Sequence, residues 1–194
     1  MKKLGLILAT FLLLGSAYSQ KIDFGLNGGL NISTLHINDQ STVNSKAAIN
    51  LGFFFRLNTG HDWAISPALN FSMEGAKVID PGNNVVYRLN YLNIPVLLQY
   101  QITRGLRLEG GPQMGFLLGA KAKTGSIITP ASEINSTAFS LPFGVSYTGK
   151  NRIGFDARYN FGLSNLDNNT NGPIIQSNVF QLDLIYMVHN PHRK

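Results

Sequence analysis

The 194-residue sequence contains no cysteine and few charged residues. Without cysteine the chain holds no disulfide, and thiol-based metal or redox sites are excluded. Charged residues make up 13% of the chain, about half the share usual in soluble domains. The hydrophobic share of 44% is ordinary, so something other than a dense layer of charge must cover the exterior.

The sequence also lacks two longer features. No segment after residue 19 reads as an apolar helix of about 18 residues, the length that would cross a bilayer. The formal net charge is +6, falls to +4 without Lys2 and Lys3, and is not gathered into a basic run. We therefore expect neither a transmembrane helix nor a nucleic-acid interface.

Residues 1–19 have the composition of a secretion signal. Lys2 and Lys3 form its positive start, residues 4–14 its apolar segment, and Ala17, Tyr18 and Ser19 a small-residue cleavage site. The mature domain is predicted to span residues 20–194, beginning at Gln20. No cysteine follows the cleavage site, so a lipid-anchored lipoprotein is not expected.

The sequence is rich in a period-two alternation of apolar and polar residues. In the first stretch Ile22, Phe24 and Leu26 alternate with Asp23 and Gly25. Eight such stretches cover about residues 22–32, 48–57, 63–74, 89–100, 106–118, 139–148, 153–163 and 180–188. Each has roughly ten residues or more, as a tilted transmembrane strand requires.

Two irregularities interrupt the alternation. Leu89 and Tyr91 are out of phase with the rest of the fourth stretch, and a bulge near Tyr91 is predicted to restore the phase. Proline cannot donate a ladder hydrogen bond, so bulges or thinned pairing are also predicted at the prolines within stretches: Pro67, Pro95, Pro112 and Pro142.

The connections between stretches alternate between short and long. Residues 59–62, 103–105 and 149–151 are tight and polar and contain glycine, whereas the links near 34–46, 76–86, 121–135 and 165–177 are long and polar. Bacterial outer-membrane barrels have short periplasmic turns and longer external loops. The pattern predicts an all-β fold, an eight-stranded antiparallel up-and-down transmembrane β-barrel in the outer membrane of a Gram-negative cell, with both termini periplasmic.

Aromatic residues are placed at one end of the predicted strands. Five of them fall on apolar faces near the ends that join the short turns, and together they form a predicted periplasmic aromatic belt against outer-membrane lipid: Phe24, Trp63, Tyr100, Tyr147 and Tyr186. Aromatic rings favour the headgroup level of a membrane, where one edge is apolar and the other wet. A soluble barrel provides no reason for this placement.

The polar face is poor in lysine but carries glycine, serine, asparagine and charges of both signs, which suits a crowded lumen better than a solvated exterior. The predicted lumen charge network comprises Asp23, Arg56, Glu74, Arg107, Glu109, Asp156, Arg158 and Asp183. Salt bridges among them would relieve the cost of burying single charges, and inward glycine would make room for a bulky partner. We expect a structural plug; a narrow passive channel or a small-ligand-binding barrel is the alternative.

Four segments resemble the PorT-like outer-membrane β-barrel family of Bacteroidetes: residues 24–33, 89–98, 108–115 and 156–163. The run Asn-Tyr-Leu-x-Ile-Pro in the second is the most specific, although Asn93 stands where the family usually has an acidic residue. The chain also continues through residues 189–194 where family members end on an aromatic strand. The resemblance implies an outer-membrane location and an eight-stranded barrel. The role in protein secretion after which the family is named is not carried over.

No catalytic, cofactor or metal site is predicted. The four histidines, His36, His61, His189 and His192, lie in loops or the tail without metal-ligand spacing. His36 near Ser33, Ser41 and Asp39 is the one external cluster that would suit an envelope lipid hydrolase, a third hypothesis, but loops are rich in such residues by default.

The predicted function is a structural or interaction role rather than an enzymatic one. The expected partners are outer-membrane lipid and other envelope proteins reached through external loops. The sequence indicates no oligomeric state.

Overall fold

The computed structural model describes residues 21–37, 42–59, 62–80, 83–124, 127–130, 134–166 and 175–189. Its regular structure there consists of strands: β1 (Lys21–Ile37), β2 (Thr42–Asn58), β3 (Trp63–Asp80), β4 (Asn83–Thr103), β5 (Leu106–Gly110), β6 (Gln113–Thr124), β7 (Ile127–Pro130), β8 (Thr137–Thr148), β9 (Ile153–Gly162) and β10 (Ile175–His189). Within these ranges no helix is long and apolar enough to cross a membrane. The predicted secretion signal and the end of the tail lie outside the described residues.

The strands form one closed antiparallel sheet. β1 pairs with β2, β2 with β3 and β3 with β4, and β4 pairs with both β5 and β6. β5 and β6 both pair with β8, then β8 with β9, β9 with β10, and β10 with β1, which closes the ring. β5 and β6 are one crossing interrupted at Gly111 and Pro112, and β7 is a short strand on β6. The predicted eight-stranded up-and-down barrel is confirmed.

The barrel is apolar outside and polar inside. Among the described residues, 21 polar or charged residues are buried against 10 hydrophobic ones. Large outward side chains stay exposed, for example Leu51 at 67% and Phe155 at 64%. Along β4 the outward apolar row from Leu92 to Ile102 has ten steps of about 3.3 Å, which at a tilt of about 40° spans roughly 25 Å, the height of an outer-membrane apolar band. This arrangement is the reverse of a soluble barrel.

The predicted short turns are confirmed at one end of the barrel. Thr59 N donates to Trp63 O at 3.1 Å, and Gly149 N donates to Ile153 O at 2.8 Å. Gly105 has φ +94°, a conformation that glycine adopts without steric penalty. These turns join β2 to β3, β4 to β5 and β8 to β9.

At the other end, two of the links predicted to be long and polar, residues 34–46 and 76–86, are strand for most of their length. β1 continues to Ile37 and β2 begins at Thr42, while β3 continues to Asp80 and β4 begins at Asn83. Their composition, rich in serine, threonine and asparagine, resembles that of loops. Beyond the membrane, however, polar side chains can occupy both faces of a strand, and pairing satisfies the backbone. The barrel wall therefore extends as hairpins past its apolar band.

A register shift near Tyr91 is confirmed, but the prediction that it restores the phase of β4 is wrong. β4 alternates without interruption, and both Leu89 and Tyr91 lie buried on the lumen face. The extra residue is in the facing strand, since Asn90 pairs with Gly119 and Tyr91 with Leu117. Leu89 and Tyr91 form an apolar cluster with Ala76 and Leu166, which explains why two apolar residues point inward.

The prolines thin the ladder as predicted. Pro67 lies opposite Val96 and Pro95 opposite Gln113, on neighbouring strands. Pro112 lies in the break between β5 and β6, and the carbonyl of Pro142 accepts a hydrogen bond from Gly111 N at 3.2 Å. The regular β3–β4 pairing lapses between Pro67 and Asn70.

Inward glycines make room for large neighbours, as expected from the sequence. Gly25 lies opposite Phe54, whose ring would come within 2.5 Å of a β-carbon at that position. Gly144 lies between Glu109 on β5 and Arg158 on β9, and a β-carbon there would come within 2.5 Å of Arg158 Cγ. The missing side chain at Gly144 therefore lets Arg158 extend across β8.

Replacing Gly144 should destabilise the barrel. In a Gly144→Ala variant the added methyl group meets Arg158 Cγ and the Ala157 carbonyl, so we expect a loss of about 1–3 kcal/mol in unfolding free energy. Urea titration in lipid vesicles, followed by the fluorescence of the single tryptophan, would measure it.

Gly119→Ala is the matched control, because no atom lies within 4 Å of a β-carbon built there. Equal free energies for the two variants would contradict the packing assigned to Gly144.

Candidate functional site

The lumen is centred on the guanidinium of Arg158. Its Nε lies 2.7 Å from Asp156 Oδ1 and 3.0 Å from Glu109 Oε1, and its Nη2 lies 3.8 Å from Asp183 Oδ2. Nη2 also donates to Asp156 Oδ2 at 3.0 Å, which makes the pair with Asp156 bidentate. Alternation along β9 puts Asp156 and Arg158 on the same face, and the register brings Asp183 opposite Asp156. One cation thus binds three buried carboxylates.

The network continues toward the short turns. Gln99 Nε2 donates to Glu109 Oε2 at 2.7 Å, and Arg56 Nε donates to Gln99 Oε1 at 2.8 Å. The Arg56 guanidinium also lies over the Phe54 ring, 5.6 Å from its centroid. Asp23 is directly opposite Arg56 in the β1–β2 register. Arg56 is therefore joined to the central cluster through an amide rather than a direct salt bridge.

Amide side chains carry the network in the other direction. Gln181 Nε2 donates to Asp183 Oδ2 at 2.6 Å and reaches Asn50 Oδ1 at 3.4 Å. Asn50 Nδ2 donates to Asn31 Oδ1 at 2.9 Å, and Asn31 Nδ2 donates to Ser72 Oγ at 2.8 Å. We call the connected set from Arg56 through Arg158 to Glu74 the lumen network.

Glu74 ends the network without a cation. Its carboxylate accepts hydrogen bonds from Ser72 Oγ at 3.0 Å, Asn93 Nδ2 at 3.2 Å and Ser177 Oγ at 3.1 Å. All salt bridges among the described residues belong to Arg158. The expectation that salt bridges would satisfy the lumen charges is therefore wrong for Glu74, because neutral donors on three strands surround it.

The eight charged residues predicted for the lumen are all buried on the inner face: Asp23, Arg56, Glu74, Arg107, Glu109, Asp156, Arg158 and Asp183. The structure brings Glu109, Asp156 and Asp183 to Arg158. Arg107 lies at the short-turn end, opposite Ser146. Three arginines face five acids, so the formal charges of the eight residues sum to −2.

Sequence reasoning missed the amides that connect these charges. Asn31, Asn50, Gln99 and Gln181 are each at most 6% exposed and link groups that do not touch directly. Their signal was the repeated occurrence of asparagine and glutamine on the polar side of the alternation. The partners could not be read from the sequence, because each bond joins residues whose meeting depends on sheet register.

Two small spaces adjoin the lumen network within the described part of the chain. A cavity of about 30 Å³ is lined by Glu74, Tyr91 and Asn160, and another of about 10 Å³ by Arg158 and Phe54. Volumes of this size hold on the order of one or two water molecules.

Apolar clusters pack beside both spaces. The cluster of Ala76, Leu89, Tyr91 and Leu166 lies on the hairpin side. A second cluster, of Phe54, Ile185 and Met187, lies on the short-turn side.

The residues of the predicted aromatic belt lie at the short-turn ends of their strands. Trp63 and Tyr100 face each other in register, with ring centroids 4.8 Å apart. Tyr147 and Tyr186 are 49% and 47% exposed, while Phe24 is half-buried against Phe55, with centroids 5.2 Å apart.

The described residues hold no group of three histidine, cysteine, aspartate or glutamate side chains placed to bind a metal ion. The cluster considered for a hydrolase falls on Asp39, Ser41 and the His36 side chain, which lie outside the described residues, as do His61 and His192.

Comparisons with known proteins agree with this architecture. A family model described as "Outer membrane protein beta-barrel domain" matches residues 18–168, and the chain belongs to that family. It is therefore an integral outer-membrane β-barrel protein. No curated protein sequence matches the chain.

Two solved structures illustrate the fold. Ail, the attachment invasion locus protein of Yersinia pestis, is 17% identical with a TM-score of 0.57, and the match covers 85% of this chain and 97% of Ail. Neisserial surface protein A is 10% identical with a TM-score of 0.57, covering 84% and 96% of the two chains. At these identities the likeness establishes the fold alone.

Removing the central cation should strongly destabilise the barrel. Arg158→Met leaves Glu109, Asp156 and Asp183 without their shared counter-charge, and breaking a buried ion cluster in this way costs about 3–5 kcal/mol. Urea unfolding in vesicles would measure the loss.

Arg104→Met is the matched control, because Arg104 is exposed in a short turn and surface changes stay within about 0.5 kcal/mol. A loss below about 1 kcal/mol for Arg158→Met would contradict the role of Arg158 as the shared counter-ion.

Proposed function

We propose that this protein is a closed, non-enzymatic outer-membrane barrel that holds extended hairpins outside the cell for contact with other envelope or extracellular components. The observation that carries the proposal is the lumen network, which runs from Arg56 to Glu74 through hydrogen bonds and salt bridges between buried side chains. A lumen filled in this way suits a rigid support rather than a conduit.

The alternative of a narrow channel receives less support. The cavities beside Glu74 and Arg158 have volumes of about 30 Å³ and 10 Å³. An eight-stranded barrel has an interior just wide enough for its own side chains. Neither cavity provides room for a solute larger than water.

The solved structures lend general support to an external role. Ail carries attachment and invasion in its name, and a second structure of it contains the heparin analogue sucrose octasulfate, with 16% identity to this chain and a TM-score of 0.55. These proteins bear on what a barrel of this size can do, not on the partner of this chain.

We also propose an orientation of the barrel in the outer membrane. Residues 1–19 act as a cleaved secretion signal before the domain at 20–194, and both termini and the short turns are periplasmic. The five aromatic residues at the short-turn ends then form the belt at the periplasmic headgroup level: Phe24, Trp63, Tyr100, Tyr147 and Tyr186. The resemblance of residues 24–33, 89–98, 108–115 and 156–163 to PorT-like proteins supports assignment to the PorT-like branch of the family.

Single cysteines would test the orientation, because the natural chain has none. Thr129→Cys lies on β7 in the hairpin region and Lys150→Cys in a short turn, and both positions are exposed. A membrane-impermeant maleimide should label Thr129→Cys in intact cells and Lys150→Cys only after the outer membrane is opened. The cysteine-free protein is the blank. Labelling of Lys150→Cys alone in intact cells, or of neither position, would overturn the proposal.

A further inference from the structure

A group of basic side chains lies on the outer face of the hairpin region. Arg88 on β4 is directly opposite Lys121 on β6, and both side chains are exposed. On the adjacent outward row, Val86 lies opposite Lys77 on β3 and Lys123 on β6. Residues directly opposite one another have Cα atoms about 5 Å apart. We call Lys77, Arg88, Lys121 and Lys123 the outer basic patch.

Among the described side chains, none forms a salt bridge that provides this patch with a counter-charge, since every salt bridge there involves Arg158. Like charges directly opposite each other on one sheet face destabilise the pairing. The opposition of Arg88 and Lys121 is thus unfavourable in water alone. An external anion bound to both cations would turn their repulsion into a net attraction through the anion.

A fifth cation, Lys46 on β2, lies near the outer basic patch. It lies three residues beyond Ile49, the last large outward apolar residue among the described side chains of its strand, and its Nζ donates to the Glu74 carbonyl at 3.4 Å. Burial and then the positive charge of Arg88 lower the pKa of Lys46. The geometry places the two cations near each other, because Lys46 Nζ would lie 3.3 Å from a β-carbon at Gly75, the residue directly opposite Arg88.

The patch lies just above the apolar band and faces away from the lumen. On β4 the outward row is apolar from Ile102 to Leu92, and Arg88 follows four residues further on. Four steps of about 3.3 Å at a tilt of about 40° raise Arg88 by roughly 10 Å. With the hairpins outside the cell, this is the headgroup level of the outer leaflet. The placement rests on the orientation given under the proposed function.

We propose that the outer basic patch binds the phosphate groups of the outer-leaflet glycolipid, the lipid A portion of lipopolysaccharide. Phosphate on a glycolipid meets the requirements of the site, because it is anionic, lies at the edge of the acyl region and approaches the barrel from the side. Arginine contacts phosphate through two parallel N–H groups, and flexible lysines such as Lys121 reach a neighbouring phosphate from the same face.

The test compares purified barrels in neutral detergent micelles by the temperature at which gel mobility reports unfolding. The patch variant is Arg88→Gln with Lys121→Gln, and the control is Arg104→Gln with Lys150→Gln, two exposed cations in the short turns. The probes are lipid A carrying both phosphates, the same lipid A without phosphate, phosphatidylglycerol and soluble inositol hexakisphosphate.

We expect phosphorylated lipid A to raise the unfolding midpoint of the natural protein and of the control by about 5 °C. In the patch variant the increase in the unfolding midpoint should be less than half as large, because the cations at 88 and 121 are lost. Without lipid A the patch variant should unfold at the same or a higher temperature than the natural protein, because it lacks the opposed like charges. That result would show that the variant folds and that the lost shift is lost binding.

Three outcomes would overturn the proposal. One is an equal shift with dephosphorylated lipid A, which would show that acyl chains alone stabilise the barrel. Another is an equal shift with phosphatidylglycerol or inositol hexakisphosphate, which would identify a general anionic surface or a soluble polyanion site. The third is a full shift in the patch variant. The cysteine-labelling experiment measures the orientation of the barrel without lipid A. A failure of the proposed function would therefore be detected independently of the lipid A result.

Discussion

The whole structure depends on one constraint, that a backbone inside lipid must satisfy its hydrogen bonds within the protein. Pairing of β1 with β10 closes the sheet and removes both edges. Closure then assigns opposite environments to the two faces of every strand, so Leu51 and Phe155 face outward while Asn50 and Asp156 face inward. Eight crossings enclose too little space for bulk water. The inward polar groups must therefore satisfy one another.

The lumen network is the consequence of that enclosure. Arg158 is the shared counter-ion of three acids. Amides such as Gln99 and Gln181 join the groups that lie too far apart, and Gly144 provides the room across β8. An isolated buried charge is costly, while a connected network rigidifies the interior. A rigid barrel is in turn a suitable base for hairpins that extend past the membrane. On this account stability resides inside the barrel, and interaction resides at the outer rim.

The sequence predicted the features that depend on local pattern. Alternation assigned the inward face of Asp156 and Arg158, and glycine placed the turn at Gly105. Prediction from the sequence failed where the environment of a residue depends on a partner that is distant in the chain. Leu89 and Tyr91 looked out of phase because their partner Leu166 belongs to another part of the chain. The hairpin strands looked like loops because their composition is polar. The opposition of Arg88 and Lys121 depends on the register of β4 with β6, which no local pattern encodes.

The central claim is that the lumen is closed. Recording from the purified protein in a planar lipid bilayer at high salt tests it most directly, with a wide bacterial porin in the same membrane system as the positive control. We predict that insertion of the barrel produces no stepwise current, because the side chains from Arg56 to Glu74 occupy the lumen. Stable, reproducible conductance steps from the folded natural protein would contradict the claim.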